Sequence, residues 1–167
     1  MPVDETLLDS IRIKIGSETT HSLGPITALM IRRYARAIGE SNPLYFDTTF
    51  ARSRGYADIV APPNLVTAIT CWDEGPAADD LRADGTPKTL QLEGIPTSGV
   101  RVMGGGEDME FHAPITAGTS VVERSTMIDA ELLHGRNGQF IVVRYRHEFV
   151  DDDGLPLVTS TRKVLLR

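Results

Sequence analysis

The spacing of apolar and polar residues changes several times along this chain, and each change marks an element. Ile11, Ile13 and Ile15 alternate with Arg12 and Lys14. That period of two predicts a short strand inside a lead-in covering residues 1–26, with a one-sided helical turn as the alternative. A turn at Leu23-Gly24-Pro25 ends the lead-in. From Thr27 the period becomes helical: Ile31, Tyr34, Ala35 and Ile38 fall at i, i+3, i+4 and i+7, with Arg32, Arg33 and Arg36 on the other sides. Thr27 is placed to cap this helix and Gly39 to end it. Asn42-Pro43 blocks immediate continuation. Asp47 can cap a second short helix over residues 48–54 that buries Phe50 and Ala51.

Pro62-Pro63-Asn64 opens a third helical stretch, which runs to Trp72. No residue from Leu65 to Trp72 is charged, and a helix apolar on most sides is a buried one. Residues 73–88 are acidic and rich in Gly, Pro and Ala, so they read as a long loop with a helical turn at 77–82. Residues 94–106, ending in Gly104-Gly105-Gly106, read as a second flexible region. No lysine follows these glycines, which argues against a phosphate-binding loop.

The final third alternates with a period of two. Met109, Phe111 and Ala113 stand against Glu110 and His112. Val122, Thr126, Ile128 and Ala130 share one predicted face, as do Ile141, Val143, Tyr145, His147 and Phe149. The turn residues at 116–118, 135–138 and 151–154 join these runs into an antiparallel set. An antiparallel sheet curled around one buried helix is the hot-dog arrangement, an α+β fold. Such folds commonly pair through sheet edges, which also removes an exposed edge.

Composition narrows the function. At 167 residues, 41% apolar and 24% charged, the chain fits one domain over 1–167. A net charge of −6 with no basic run argues against nucleic-acid binding. The N-terminus has acid where a signal peptide carries base, and no apolar run approaches the ~18 residues of a membrane span. The expectation is therefore a cytoplasmic protein. The single cysteine, Cys71, excludes an internal disulfide and is expected to be buried and inert. No histidine pair has ligand spacing, so neither a metal nor another cofactor is expected. His112 and His147 are expected to be structural, His147 as a hydrogen-bonded core residue.

The run from Tyr34 to Asp47, then Ala51, Gly55-Tyr56, Ala61-Pro62-Pro63 and later Met109 to Ile115 with Gly118, resembles the MaoC-like (R)-specific enoyl-thioester hydratases and dehydratases. In particular it resembles their N-terminal, fatty-acid-synthase-type dehydratase domain, across nearly the whole chain. In catalytically complete members of that family the signature reads Gly-Asp-x-Asn-Pro-Leu-His, and the Asp and His hold the water that is added or removed. Here Glu40 stands at the Asp position and Tyr45 at the His position. A phenol with an ordinary pKa of about 10 is no base at neutral pH. The resemblance thus implies a site with its usual proton chemistry removed.

Three readings follow from it. The chain can be the substrate-pocket half of a heteromer whose MaoC-like partner subunit carries the intact pair. It can be a self-sufficient homo-oligomeric enzyme, a self-dimer for instance, in which Glu40 orients water and Tyr45 polarises the carbonyl or donates a proton. It can be a module that binds acyl thioesters, carried on coenzyme A or acyl carrier protein, without chemistry. Candidate substrate-binding residues are Asn42, then Pro63 and Asn64 at the start of the buried helix, where free N–H groups can bind a carbonyl. Arg33 and Arg36 join them, in a locally basic stretch suited to a phosphate-bearing carrier.

Overall fold

The computed structural model describes residues 3–70, 77–83, 85, 95, 99–136 and 138–167. Its first element corrects the expected N-terminal strand. Residues Glu5–Arg12 form a helix, α1, capped by the Asp4 side chain, which accepts from the Leu7 N–H. The 3.6-residue spacing of Leu7, Leu8 and Ile11, all buried, wins over the local alternation of isoleucines. Ile13 is 81% exposed and Ile15 42%. Ile13→Ser is therefore expected to change stability by no more than about 0.5 kcal/mol. Ile11→Val should cost about 1 kcal/mol. Denaturant titration of the two variants checks this, and a larger loss at Ile13 would contradict the helix.

The strand of this region lies later. β1 (Glu18–Pro25) contains the expected turn residues Leu23-Gly24-Pro25, and its pairing register shifts between Ser22 and Gly24. α2 (Ala28–Ala37) follows as its pattern predicts: Thr27 caps Met30 N–H, Ile31 and Ala35 are buried, and Gly39 takes φ +77° just past the end. Ile38, expected in the apolar stripe, is 51% exposed because it already sits at the C-cap. Asp47 caps α3 (Thr48–Ser53), which buries Ala51 fully and Phe50 partly.

α4 (Leu65–Ile69) is shorter than its apolar pattern predicts, starting after the two prolines rather than on them. Cys71 and Trp72 lie outside the described residues. Leu65, Val66, Thr67 and Ile69 are all buried, as expected for a helix enclosed by the rest of the fold. In the long loop, a short 3-10 turn at Ala78–Asp80 matches the helical turn read from the sequence.

β2 (Val102–Phe111), β3 (Ser120–Gly135), β4 (Gly138–Val150) and β5 (Pro156–Leu166) complete one antiparallel sheet in the order β1-β3-β4-β5-β2. β2 starts within the glycine run that reads as flexible. A register shift between Gly104 and Glu107 marks a bulge there. A Cβ on Gly105 would lie 3.0 Å from Lys163 Cβ and closer still to the Leu165 side chain, so only glycine lets β2 sit down on β5. β3 holds a second correction. Its buried residues are Val121, Glu123, Met127 and Ala130, whereas Ile128 is 40% exposed. The pairing shifts between Met127 and Asp129, and that extra residue reverses the in–out parity assumed from the sequence.

One face of the sheet carries two apolar clusters. Toward one end, α1 packs Leu7, Leu8 and Ile11 on Met127, Val143 and Tyr145. Toward the other, Leu65, Val66 and Ile69 of α4 pack with Ile31 of α2 on Val121, Phe149 and Leu157. Between them, along the inward-facing row of β4, lies buried His147. The outer face is tied by ion pairs, including Arg144 with both Asp129 and Glu131 and Lys163 with Asp108.

Candidate functional site

The loop after α2 is built by local hydrogen bonds. Glu40 N–H donates to Ala35 O (2.8 Å), holding the chain against the end of the helix. Asn42 Oδ1 accepts from Leu44 N–H (3.0 Å), and Pro43–Tyr45 form a single 3-10 turn. Asn42 thus orders its own turn, as Asx residues do. The following chain is fastened twice more. Asp58 accepts from the Thr48 hydroxyl and from Ile59 N–H, the bonds that hold its carboxyl below the usual carboxylate range, the backbone one contributing most. Val60 N–H then donates to Leu44 O and Ala61 N–H to Ile115 O.

These ties bring Leu44 and Tyr45 against the end of β2 and the start of α4, around a cavity of about 360 Å³. Tyr45, Tyr56, Pro62, Pro63, Phe111 and His112 stand in its wall. Tyr45 and Pro63 are therefore brought together, as their candidacy requires. Burial first, and then the Glu40 carboxylate, push the Tyr45 phenol above its ordinary value. A phenol held there stays protonated at neutral pH and can only donate a hydrogen or accept through its oxygen's lone pairs. Its Oη has no hydrogen-bond partner among the described residues, leaving it available to a ligand.

Other candidates are placed differently. Glu40 is exposed and acts on Tyr45 through its charge without a hydrogen bond to it. Asn64 is exposed, makes no side-chain cap and does not line the cavity. Arg36 lies over the Phe46 ring (5.2 Å), Arg54 over Phe50 (5.0 Å), and Arg52 faces Asp58 at 3.8 Å. Arg32 Nη2 reaches Phe46 O. Arg33 alone of the five is exposed with no partner among the described residues.

Sequence reasoning passed over Tyr56 and Phe111. Phe111 ends an edge strand and is 50% exposed, a placement that only the fold reveals. His112 Nε2 lies 2.9 Å from Thr159 Oγ1, but the residue is exposed and stands in the cavity wall, a place that its structural assignment did not foresee. His147 Nδ1 lies 2.7 Å from Glu123 Oε1 in the core, as expected for a hydrogen-bonded histidine, although its acidic partner was not foreseen. Among the described residues no cluster of three or more His, Cys, Asp or Glu could hold a metal, and no helix is long and apolar enough to cross a membrane.

Comparison with known proteins places this arrangement. The chain is 33% identical over 137 residues to a UPF0336 protein of Streptomyces avermitilis, covering 82% of this chain and 81% of that one. Among solved structures, the ChsH1–ChsH2 complex from Mycobacterium tuberculosis has a chain matching at TM-score 0.74 and 18% identity, with 96% of this chain and 90% of that one covered. The C-terminally truncated HadBC (3R-hydroxyacyl-ACP dehydratase) complex from the same organism matches at TM-score 0.69 and 19% identity, covering 91% and 96%. At such identities these likenesses establish the fold, which is the hot-dog expected from the sequence. The model of the FAS1-like dehydratase domain region matches residues 14–160, and with that match over most of its length the chain belongs to this family.

Proposed function

We propose that the chain is the substrate-pocket, catalytically degenerate subunit of an enoyl-thioester hydratase or 3-hydroxyacyl-thioester dehydratase. The observation that carries this reading is the protonated Tyr45 phenol in the cavity wall, at the position where the resemblance expects histidine. Hydration of a 2-enoyl thioester needs a base to take a proton from water as oxygen bonds to C3, and an acid to deliver one to C2. Tyr45 can serve at most as the acid, or polarise the thioester carbonyl. The base then comes from a partner subunit with the intact Asp and His.

Two features support a partner. β2 is an edge strand with Phe111 half-exposed beside the cavity, so a second hot-dog chain pairing along this edge would cover both. HadBC and ChsH1–ChsH2, which share the fold, are both complexes of two differently named components. Of the five arginines around this loop, Arg33 is the one without a partner among the described residues, which makes it available for the phosphates of coenzyme A or a carrier-protein arm.

The test is hydration of crotonyl-CoA by the purified chain, alone and with a neighbouring-gene chain carrying Gly-Asp-x-Asn-Pro-x-His. The expected result is background turnover alone and robust turnover together, with Tyr45→Phe nearly silent in the assembly and Arg33→Glu raising KM. Robust turnover by the chain alone would overturn the reading. A large loss in Tyr45→Phe with folding intact would favour the self-sufficient enzyme instead, although the Glu40 carboxylate, by raising the Tyr45 phenol, makes it a weaker proton donor.

A further inference from the structure

A second cavity, of about 420 Å³, lies at the opposite end of α4 from Tyr45. His21 and Ser22 of β1, Met30 of α2, Ile69 and Thr70 at the end of α4, and Glu123 of β3 stand in its wall. Glu123 is unusual there, since it is only 6% exposed. Its Oε1 is held by His147 Nδ1 at 2.7 Å, while Oε2 has no hydrogen-bond partner among the described residues. His21 is directly opposite Glu123 in the β1–β3 register. His147 acts as a positioning residue: by fixing one oxygen it leaves the other toward the cavity.

A carboxylate oxygen in that place discriminates between ligands. A plain alkyl end seated against it would strip its remaining water and return nothing, which is costly for a charged group. A hydroxyl would replace that water with a charge-assisted hydrogen bond. Met30 and Ile69 offer apolar surface for methylenes on the way in. The first cavity touches the Pro62–Pro63 end of the α4 segment, the second its Ile69–Thr70 end. The four helical residues between them, Leu65 to Ala68, span about 6 Å, a distance that a medium-length acyl chain bridges.

We infer that this second cavity takes the far end of an acyl chain whose thioester lies at the Tyr45 cavity, and that Glu123 selects a chain carrying a hydroxyl at that end. The inference rests on the acyl-thioester reading above. It makes the substrate class an oxygenated acyl thioester, and it gives Glu123 a role in specificity.

Calorimetric titration of the full chain with octanoyl-CoA, decanoyl-CoA and their ω-hydroxy counterparts tests it. The hydroxylated ligand of the better-fitting length should bind about tenfold more tightly than its plain counterpart. Glu123→Leu should reverse that preference. Glu123→Gln, which keeps the shape and a hydrogen-bonding contact with His147, should reduce it to about threefold or less, and it carries the test if the leucine variant does not fold. Equal binding of plain and hydroxylated ligands to the wild type, or a preference surviving in both variants, overturns the role of Glu123 while leaving the acyl-thioester reading in place. No binding of any of the four overturns the acyl-thioester reading, and this inference with it.

Discussion

Phe149→Ala is expected to destabilise the protein by about 3–5 kcal/mol, the range for removing a large aromatic from a packed core. Phe149 is 1% exposed and stands where β4, the central strand of the sheet, meets the cluster formed with α4. Val121, Leu65, Val66 and Leu157 belong to the same cluster, and they come from three different elements. Such a site closes poorly around a void, because filling it from one side opens a gap on another. On its strand neighbour's side the ring stacks on His147, with centroids 6.5 Å apart and planes at 19°. For a chain of this length the loss corresponds to a fall in Tm of order 10 °C. Leu155→Ala is the control: Leu155 is 53% exposed in the β4–β5 turn, so its truncation should be within about 0.5 kcal/mol of neutral. Equal losses at the two positions would mean that α4 does not seat on this sheet face as described.

Which parts of this architecture were legible in the sequence depended on how local their causes are. Thr27, Gly39 and Asp47 act within one helical turn of themselves, and the structure places all three caps where the sequence puts them. The alternation of Ile141, Val143, Tyr145, His147 and Phe149 survives because β4 is paired on both sides and its inner row faces the core without interruption. The same rule misassigned β3, since the shift after Met127 depends on how β3 pairs with β4 and leaves no mark in the local pattern. β1 has few apolar residues, and its pairing with β3 is a long-range event. At α1 two periods overlapped on Ile11, and the longer-range one, supported by the Asp4 cap, prevailed.

The candidate site divides in the same way. Tyr45 and Pro63 were legible from a motif and lie in the same cavity wall. Tyr56 and Phe111 reach that wall through the bonds of Val60 and Ala61 to distant backbone, which no local pattern announces. Asn64 was promoted by its place before a helix, but with a five-residue helix and an exposed side chain it stays outside the cavity. Glu123 was hidden by the parity error on β3. Once the bulge is in place it falls on the inner row, beside the histidine that was already assigned to the core.

The second large effect is expected at that pair. His147→Leu should cost about 3 kcal/mol, because it leaves the Glu123 carboxylate buried without its partner. The value belongs at the low end for a broken buried pair, for two reasons. Water can reach Glu123 from the cavity it lines. In addition, His147 Nε2 is itself buried with no partner, and its removal relieves that penalty. Replacing both residues, Glu123→Leu with His147→Leu, should cost at least about 2 kcal/mol less than the sum of the single changes. With no charge left in the seam, the side chains of the two apolar clusters can meet across it. Denaturant titrations of the four proteins complete the cycle. Additive losses would mean that Glu123 and His147 are independently solvated, and the seam would then be two separate polar residues lacking the coupling that holds Glu123 in place.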